Sequence, residues 1–219
     1  SRFVWGMSAA CVLLLVGAEV SRLGMAWLTF DAASRRAVAG ETDAAIQGLQ
    51  HAIALDPGKS LYHHGLGSVY ARAFDASRDK EMFRLAHAEF KEAIELNPLD
   101  SRLLGLLGQL YVSAAQAPSL SGGLDEQRKS WIRAALRVYE RAVRLAPFSA
   151  PYRYEQARLH WMLGEKAAAE QQAKEAEREA FDVWVAESGW RTFTDESMRR
   201  LAETFCARIC RSVVRMFSF

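Results

Sequence analysis

Three stretches of this chain end in nearly the same six residues, and that recurrence limits the fold more than any other feature. AIALDP closes at Pro57, AIELNP at Pro98 and AVRLAP at Pro147. Each phrase ends a stretch of helical pattern with a proline, which lacks the N–H needed to continue a helix. The chain therefore reads as repeated helical units that stop at equivalent points. No strand pattern interrupts them.

Set back from each proline, the residues resemble the 34-residue frame of a known helical-repeat family, which has Leu-Gly at positions 7–8, Tyr at 11, Ala at 20 and 27, an aromatic or Leu at 24 and Pro at 32. The small residues at 8, 20 and 27 fall where two antiparallel helices approach most closely, and the large ones fill the space between them. The first unit, 26–59, carries Ala33, Gly40, Ala45, Leu49, Ala52 and Pro57 in this frame. The second opens with Leu66, Gly67 and Tyr70 and closes with Ala86, Phe90, Ala93 and Pro98. The third repeats Leu107, Gly108 and Tyr111, then Ala135, Tyr139, Ala142 and Pro147. A fourth keeps Ala157, Gly164, Ala169 and Ala176 but has His160 and Ala173 at the large positions and no closing proline. Over residues 26–180 the chain resembles the tetratricopeptide-repeat (TPR) family, in a membrane-anchored bacterial form. The resemblance implies an all-α fold, an α-solenoid of about four helix pairs with units near 26–59, 60–100, 101–149 and 150–180.

The units depart from the frame by insertion. Pro57 and Pro98 are 41 residues apart and Pro98 and Pro147 are 49 apart, so the second and third units exceed the frame by 7 and 15 residues. Both insertions fall between the two helices of a unit, near Asp75–Glu81 and Ala117–Ser130, and are expected to project from one edge. The second contains Pro118 and Gly122-Gly123, which break helices.

From Phe3 to Ala18 no residue is charged, and Val20 extends the run beyond Glu19. Arg2 and Arg22 bracket a segment long enough to cross a bilayer as a helix, about 30 Å at 1.5 Å per residue. Trp5 and Trp27 stand near its ends, where amphipathic rings favour the membrane interface. The rival readings are a cleaved signal peptide and a buried helix of a soluble core; length and flanks favour a span through residues 3–21. Residues 1–25 are thus expected to be a transmembrane anchor that runs without a linker into the first repeat helix, with a bend near Gly24. The expected setting is the bacterial inner membrane, crossed once. The side on which the repeats lie stays open.

Residues 181–219 leave the frame. Met198, Leu201, Phe205, Ile209, Val213 and Met216 form an apolar stripe among arginines, expected to be a C-terminal capping helix over the last repeat or an amphipathic helix on the membrane.

Chemistry-bearing motifs are missing. The five histidines fit no metal-ligand spacing, and His63 and His64 point about 100° apart on a helix, as surface or groove side chains. Cys206 and Cys210 are four apart on one helical face with no third soft ligand nearby. HHGLGS at 63–68 lacks the lysine and the preceding strand of a phosphate loop. The 28 basic and 26 acidic side chains leave a net charge of +2, with no concentrated basic face for nucleic acid. No catalytic residue, cofactor or metal site is expected.

In the TPR family the first helix of each unit lines a groove that grips a partner. Carried over by register, the candidate partner-binding residues are His64, Ser68 and Arg72 in the second unit, Arg102 and Gln109 in the third, and Tyr154, Arg158 and Trp161 in the fourth. Arginines with Tyr and Trp suit a segment bearing carboxylates and an apolar anchor. The rival occupant is the chain's own C-terminal helix. The resemblance implies a scaffold or accessory subunit that holds other protein subunits, membrane proteins among them, in an envelope complex. The alternative is the C-terminal TPR region of a polytopic polysaccharide polymerase or ligase whose catalytic part lies upstream.

Overall fold

The computed structural model describes residues 2–121 and 125–187, with side chains placed for 13–120 and 125–179. All regular structure among the described residues is α-helical. The chain divides into two compact units, Ser1–Trp131 and Ile132–Phe219.

The first unit begins with helix α1, Arg2–Val38, which runs unbroken through Gly24 for about 55 Å at 1.5 Å per residue. The chain turns at Gly40, whose φ of 84° suits a residue without Cβ, and returns as α2, Thr42–Leu55. Ala26, Ala33, Ala45, Leu49 and Ala52 are all buried between these helices. Their approach is close: a Cβ on Gly48 would lie 2.7 Å from the Cβ of Ala33. Ala26 and Ala52 join Tyr62, the next helix's contribution, with the ring of Phe30 at 5.1 Å from that of Tyr62.

The pattern repeats in α3, Ser60–Ser77, and α4, Lys80–Leu96. Here the first insertion is not a loop. It extends α3 to Ser77, places Arg78 at φ 56° as a left-handed stop, and starts α4 on Asp79, whose carboxylate accepts from the Glu81 N–H at 2.9 Å. The second insertion follows α5, Ser101–Gln116, and holds the short helix α6, Pro118–Ser121, and the first turn of α7, Asp125–Leu145. The two insertions meet: the Ser119 hydroxyl donates to the Arg78 carbonyl at 2.7 Å. Beside them Phe74, Phe83, Trp131, Tyr111 and His87 form a chain of ring contacts 5.2–6.0 Å apart.

His63, expected at the surface or in the groove, is a packing group instead, and His87 is another. His63 is 8% exposed, with Nδ1 2.8 Å from the Glu89 carboxylate and Nε2 3.2 Å from the Pro57 carbonyl, so it ties α3 to α4. His87 is half-buried, 2.9 Å from the Tyr111 hydroxyl.

The second unit contains the remainder of α7 and the pair α8, Ala150–Leu163, and α9, Lys166–Glu187, joined at Gly164 with φ 82°. Ala157, Leu159, Ala169 and Ala176 are buried in that pair. Arg153 on α8 reaches Glu175 at 2.8 Å and Glu179 at 2.5 Å on α9. Helix α9 continues through 181–187, where the repeat pattern had faded. The expected C-terminal stripe, Cys206 and Cys210 lie outside the described residues.

Candidate partner-binding groove

Within the first unit, α1, α3 and α5 present one face each to a cavity of about 500 Å³. Phe30, Ser34, Ala37 and Val38 line it from α1; Leu61, His64, Ser68, Ala71 and Arg72 from α3; Leu106, Gln109 and Ser113 from α5. Apart from the adjacent pairs Ala37/Val38 and Ala71/Arg72, these numbers step by three and four, the spacing that keeps side chains on one side of a helix. Leu49 and Phe90, from the second helices, also line it. Gly65 leaves room for this arrangement: a Cβ there would meet Leu49 and the Phe30 ring, each at 3.1 Å.

The wall is mainly apolar and its polar groups are few. Arg72 is exposed and has no ion-pair partner among the described residues. Asp75 at the same end is held by Arg78 at 3.4 Å. Burial pushes the His64 imidazole below its ordinary value, against an opposing pull from Asp100 and with a smaller push from Arg102, so the ring is neutral near pH 7. Ser68 and Gln109 add neutral hydrogen-bonding groups. Such a surface can hold an apolar side chain and orient one carboxylate on Arg72.

Arg102 faces an adjoining hollow of about 390 Å³, lined also by Lys59, Leu61, His64 and Leu103. Its guanidinium grips Asp100 at 3.0 and 2.9 Å, and the same carboxylate accepts from the Arg102 N–H. That grip holds the Asp100 carboxyl below the usual range. His64 and Leu61 border both spaces.

Of the residues chosen by register, the structure brings His64, Ser68, Arg72 and Gln109 to one cavity and puts Arg102 in the hollow beside it. Tyr154, Arg158 and Trp161 follow one face of α8 in the second unit. There Arg158 binds Glu155 one turn back at 3.0 Å, and Trp161, 42% exposed, lies 5.8 Å from the Lys166 ammonium. The α1 wall was missed, although positions 5, 9, 12 and 13 counted from Ala26 are Phe30, Ser34, Ala37 and Val38. Among the described residues no His, Cys, Asp or Glu group is arranged to hold a metal ion.

No protein-family model matches the chain, and no curated protein sequence does. Solved structures do match. MamA is 17% identical with a TM-score of 0.57, covering 72% of this chain and 79% of its own. TTC0263, a thermophilic TPR protein of Thermus thermophilus, is 16% identical with a TM-score of 0.54, covering 82% of this chain and 97% of its own. The first TPR of Spaghetti (RPAP3), bound to the HSP90 peptide SRMEEVD, is 17% identical with a TM-score of 0.50, covering 64% of this chain and 97% of its own. At these identities the likeness is one of fold. The chain has the all-α fold of TPR proteins.

Proposed function

We propose that this chain is a membrane-anchored TPR scaffold of a bacterial envelope complex, which holds a segment of another protein subunit in the α1–α3–α5 groove and performs no catalysis itself. The observation that carries the reading is the cavity: three first helices converge on an apolar trough with Arg72, which has no ion-pair partner among the described residues, at its end. The segment that fits it presents an apolar side chain to Phe30, Val38 and Leu106 and a carboxylate to Arg72. Charge-assisted hydrogen bonds of that kind contribute about 1.5–3 kcal/mol. The RPAP3 domain holding a peptide rich in glutamate is in keeping with this chemistry, as a likeness of fold.

Helix α1 supports the anchor. It is the one described helix long and apolar enough to cross a membrane. Leu13, Leu14 and Leu15 are 73%, 75% and 68% exposed. Successive residues on a helix point about 100° apart, so the rod is bare on all sides, unlike a helix of a soluble core.

The test is site-specific photocrosslinking in native membranes, with a photoreactive residue at Ser68 in the groove or at Ala88 on the exposed side of α4. The expected result is an adduct with a second protein from position 68, weakened about tenfold by Arg72→Glu, as loss of about 1.4 kcal/mol requires. Equal adducts from both positions, or adducts only within the chain itself, refute the groove.

A further inference from the structure

We infer that the first unit sits with its interhelical-turn edge in the lipid headgroup layer and inserts Leu99 there; this rests on the reading of α1 as a membrane span. The topology sets which edge is concerned. Helices α1, α3 and α5 run one way and α2 and α4 return, so the turns at 56–59 and 97–100 lie at the end from which the apolar part of α1 emerges. Contacts fix the level. Arg22 donates to the carbonyl of Leu55, the last residue of α2, while pairing with Glu19 at 2.7 Å. The Ser60 hydroxyl, at the start of α3, donates to the Ala93 carbonyl near the end of α4 at 2.9 Å.

Distances then leave little choice. The apolar run ends at Val20, two residues before Arg22, which is about 3 Å along a helix. The headgroup zone is roughly 5–7 Å deep on each side of the hydrocarbon core. The end of α2 and the turns beside it therefore fall within that zone when α1 spans the core. The turn at 97–100 offers it an apolar tip: Leu99 is 77% exposed, with Leu96 at 37% behind it. One exposed leucine is ordinary on a protein surface. At this edge, continuous with the span, it meets lipid. Lys59 and Arg102 are offset by Asp56 and Asp100, and Arg102 is already held by Asp100. Insertion consequently depends on the apolar tip and not on anionic lipid.

The test uses the full chain, its three cysteines replaced by serine, reconstituted in phosphatidylcholine vesicles. An environment-sensitive fluorophore is attached through Val16→Cys in the span, Leu99→Cys at the edge, or Ala76→Cys at the far end of α3, all exposed positions. Quenching by nitroxides placed in the acyl chain or the headgroup is then read. We expect acyl-chain quenching at 16, headgroup quenching at 99 at least twofold above that at 76, and the same pattern without anionic lipid. Position 99 as wet as 76, with 16 still quenched, overturns the seated edge and leaves the anchor standing. No quenching at 16 removes the anchor and this inference with it. A dry but unquenched 99 means that protein covers the edge, which also overturns the proposal.

Discussion

Adding one methyl group to Gly67 should destabilise this chain, although helix propensity alone says the opposite. Gly67 is buried in α3, and a Cβ there would stand 2.8 and 2.9 Å from two ring carbons of Phe90 and 3.3 Å from the Glu89 Cβ. Carbon atoms settle at about 3.5–4.0 Å, so the ring must retreat by roughly 1 Å. It has nowhere to go: Phe90 is 1% exposed, and Glu89 is tied to His63 at 2.8 Å. Exchanging glycine for alanine inside a helix gains about 1 kcal/mol, whereas over-packing a filled core costs about 1–3 kcal/mol. Over-packing wins by about 1 kcal/mol, which lowers Tm by about 2–4 °C in a chain of this length.

The assay is thermal unfolding of the full chain in detergent micelles, followed by circular dichroism. Gly58→Ala is the control, since nothing lies within 4 Å of a Cβ there, and it should stay within the roughly 0.5 kcal/mol of an ordinary surface change. Phe90→Leu removes the obstructing ring edge, so Gly67→Ala placed on that background should be neutral or stabilising. The double-mutant cycle then shows a coupling of about 1 kcal/mol. A Tm raised by Gly67→Ala alone, or strict additivity with Phe90→Leu, refutes the close-approach argument.

Three further outcomes follow from buried polar groups. The Tyr139 hydroxyl is buried with no hydrogen-bond partner among the described residues, and burial first of all raises its pKa. Tyr139→Phe should therefore raise stability by up to about 1 kcal/mol in a denaturant titration, and a loss of that size would refute the orphaned hydroxyl. Arg153 is 18% exposed between Glu175 and Glu179, so Arg153→Met leaves two carboxylates facing each other. Amide exchange across 166–179 should speed up as for a loss of about 2 kcal/mol, less than for a fully buried pair because Glu175 is 36% exposed. Unchanged exchange would show that the cluster does not hold α9. Burial lowers the pKa of both His64 and His87 from 6.5. The unfolded chain then takes up protons first, so the first unit holds full stability above pH 6.5 and loses it as pH falls below that value. A Tm-against-pH profile should flatten between about pH 7 and 5 in the double variant His64→Gln, His87→Gln. The Asp100 contribution, held low by Arg102, is lost separately, below pH 3.8. An unchanged slope in the double variant would refute the histidine assignment.

Register carried most of the fold because the frame encodes distances of approach. α2, α4 and α7 end at Leu55, Leu96 and Leu145, each two residues before its proline, where the shared phrases put them. Register did not carry the partners of polar side chains. Arg102 holds a groove position, yet Asp100 two residues back caps α5 and takes its guanidinium, a local competition that a count along a helix does not represent. His63 was misplaced for a similar reason: its neighbour Glu89 lies 26 residues away on α4. The first insertion was placed between the two helices because it breaks the frame, although DASRDKE contains neither glycine nor proline and carries its own cap in Asp79.

The least legible feature was the first wall of the groove, since the candidate residues were carried over by register only from the second unit onward although residues 26–59 had been read as the first unit. Phe30, Ser34 and Val38 belong to α1, whose exposed large apolar residues run from Leu13 to Leu28 and recur at Val38, while Ala26 is already fully buried against the repeats. The proposed anchor and the groove wall therefore follow one another on a single helix with no linker between them. In the proposed anchor, a tilt of the span carries Phe30 with it, and Phe30 is packed on Tyr62 of α3 at 5.1 Å. Well-packed contacts of this kind transmit displacement and do not yield to it. If α1 spans a bilayer as proposed, its tilt there and the Phe30–Tyr62 contact in the groove wall are linked through one unbroken helix.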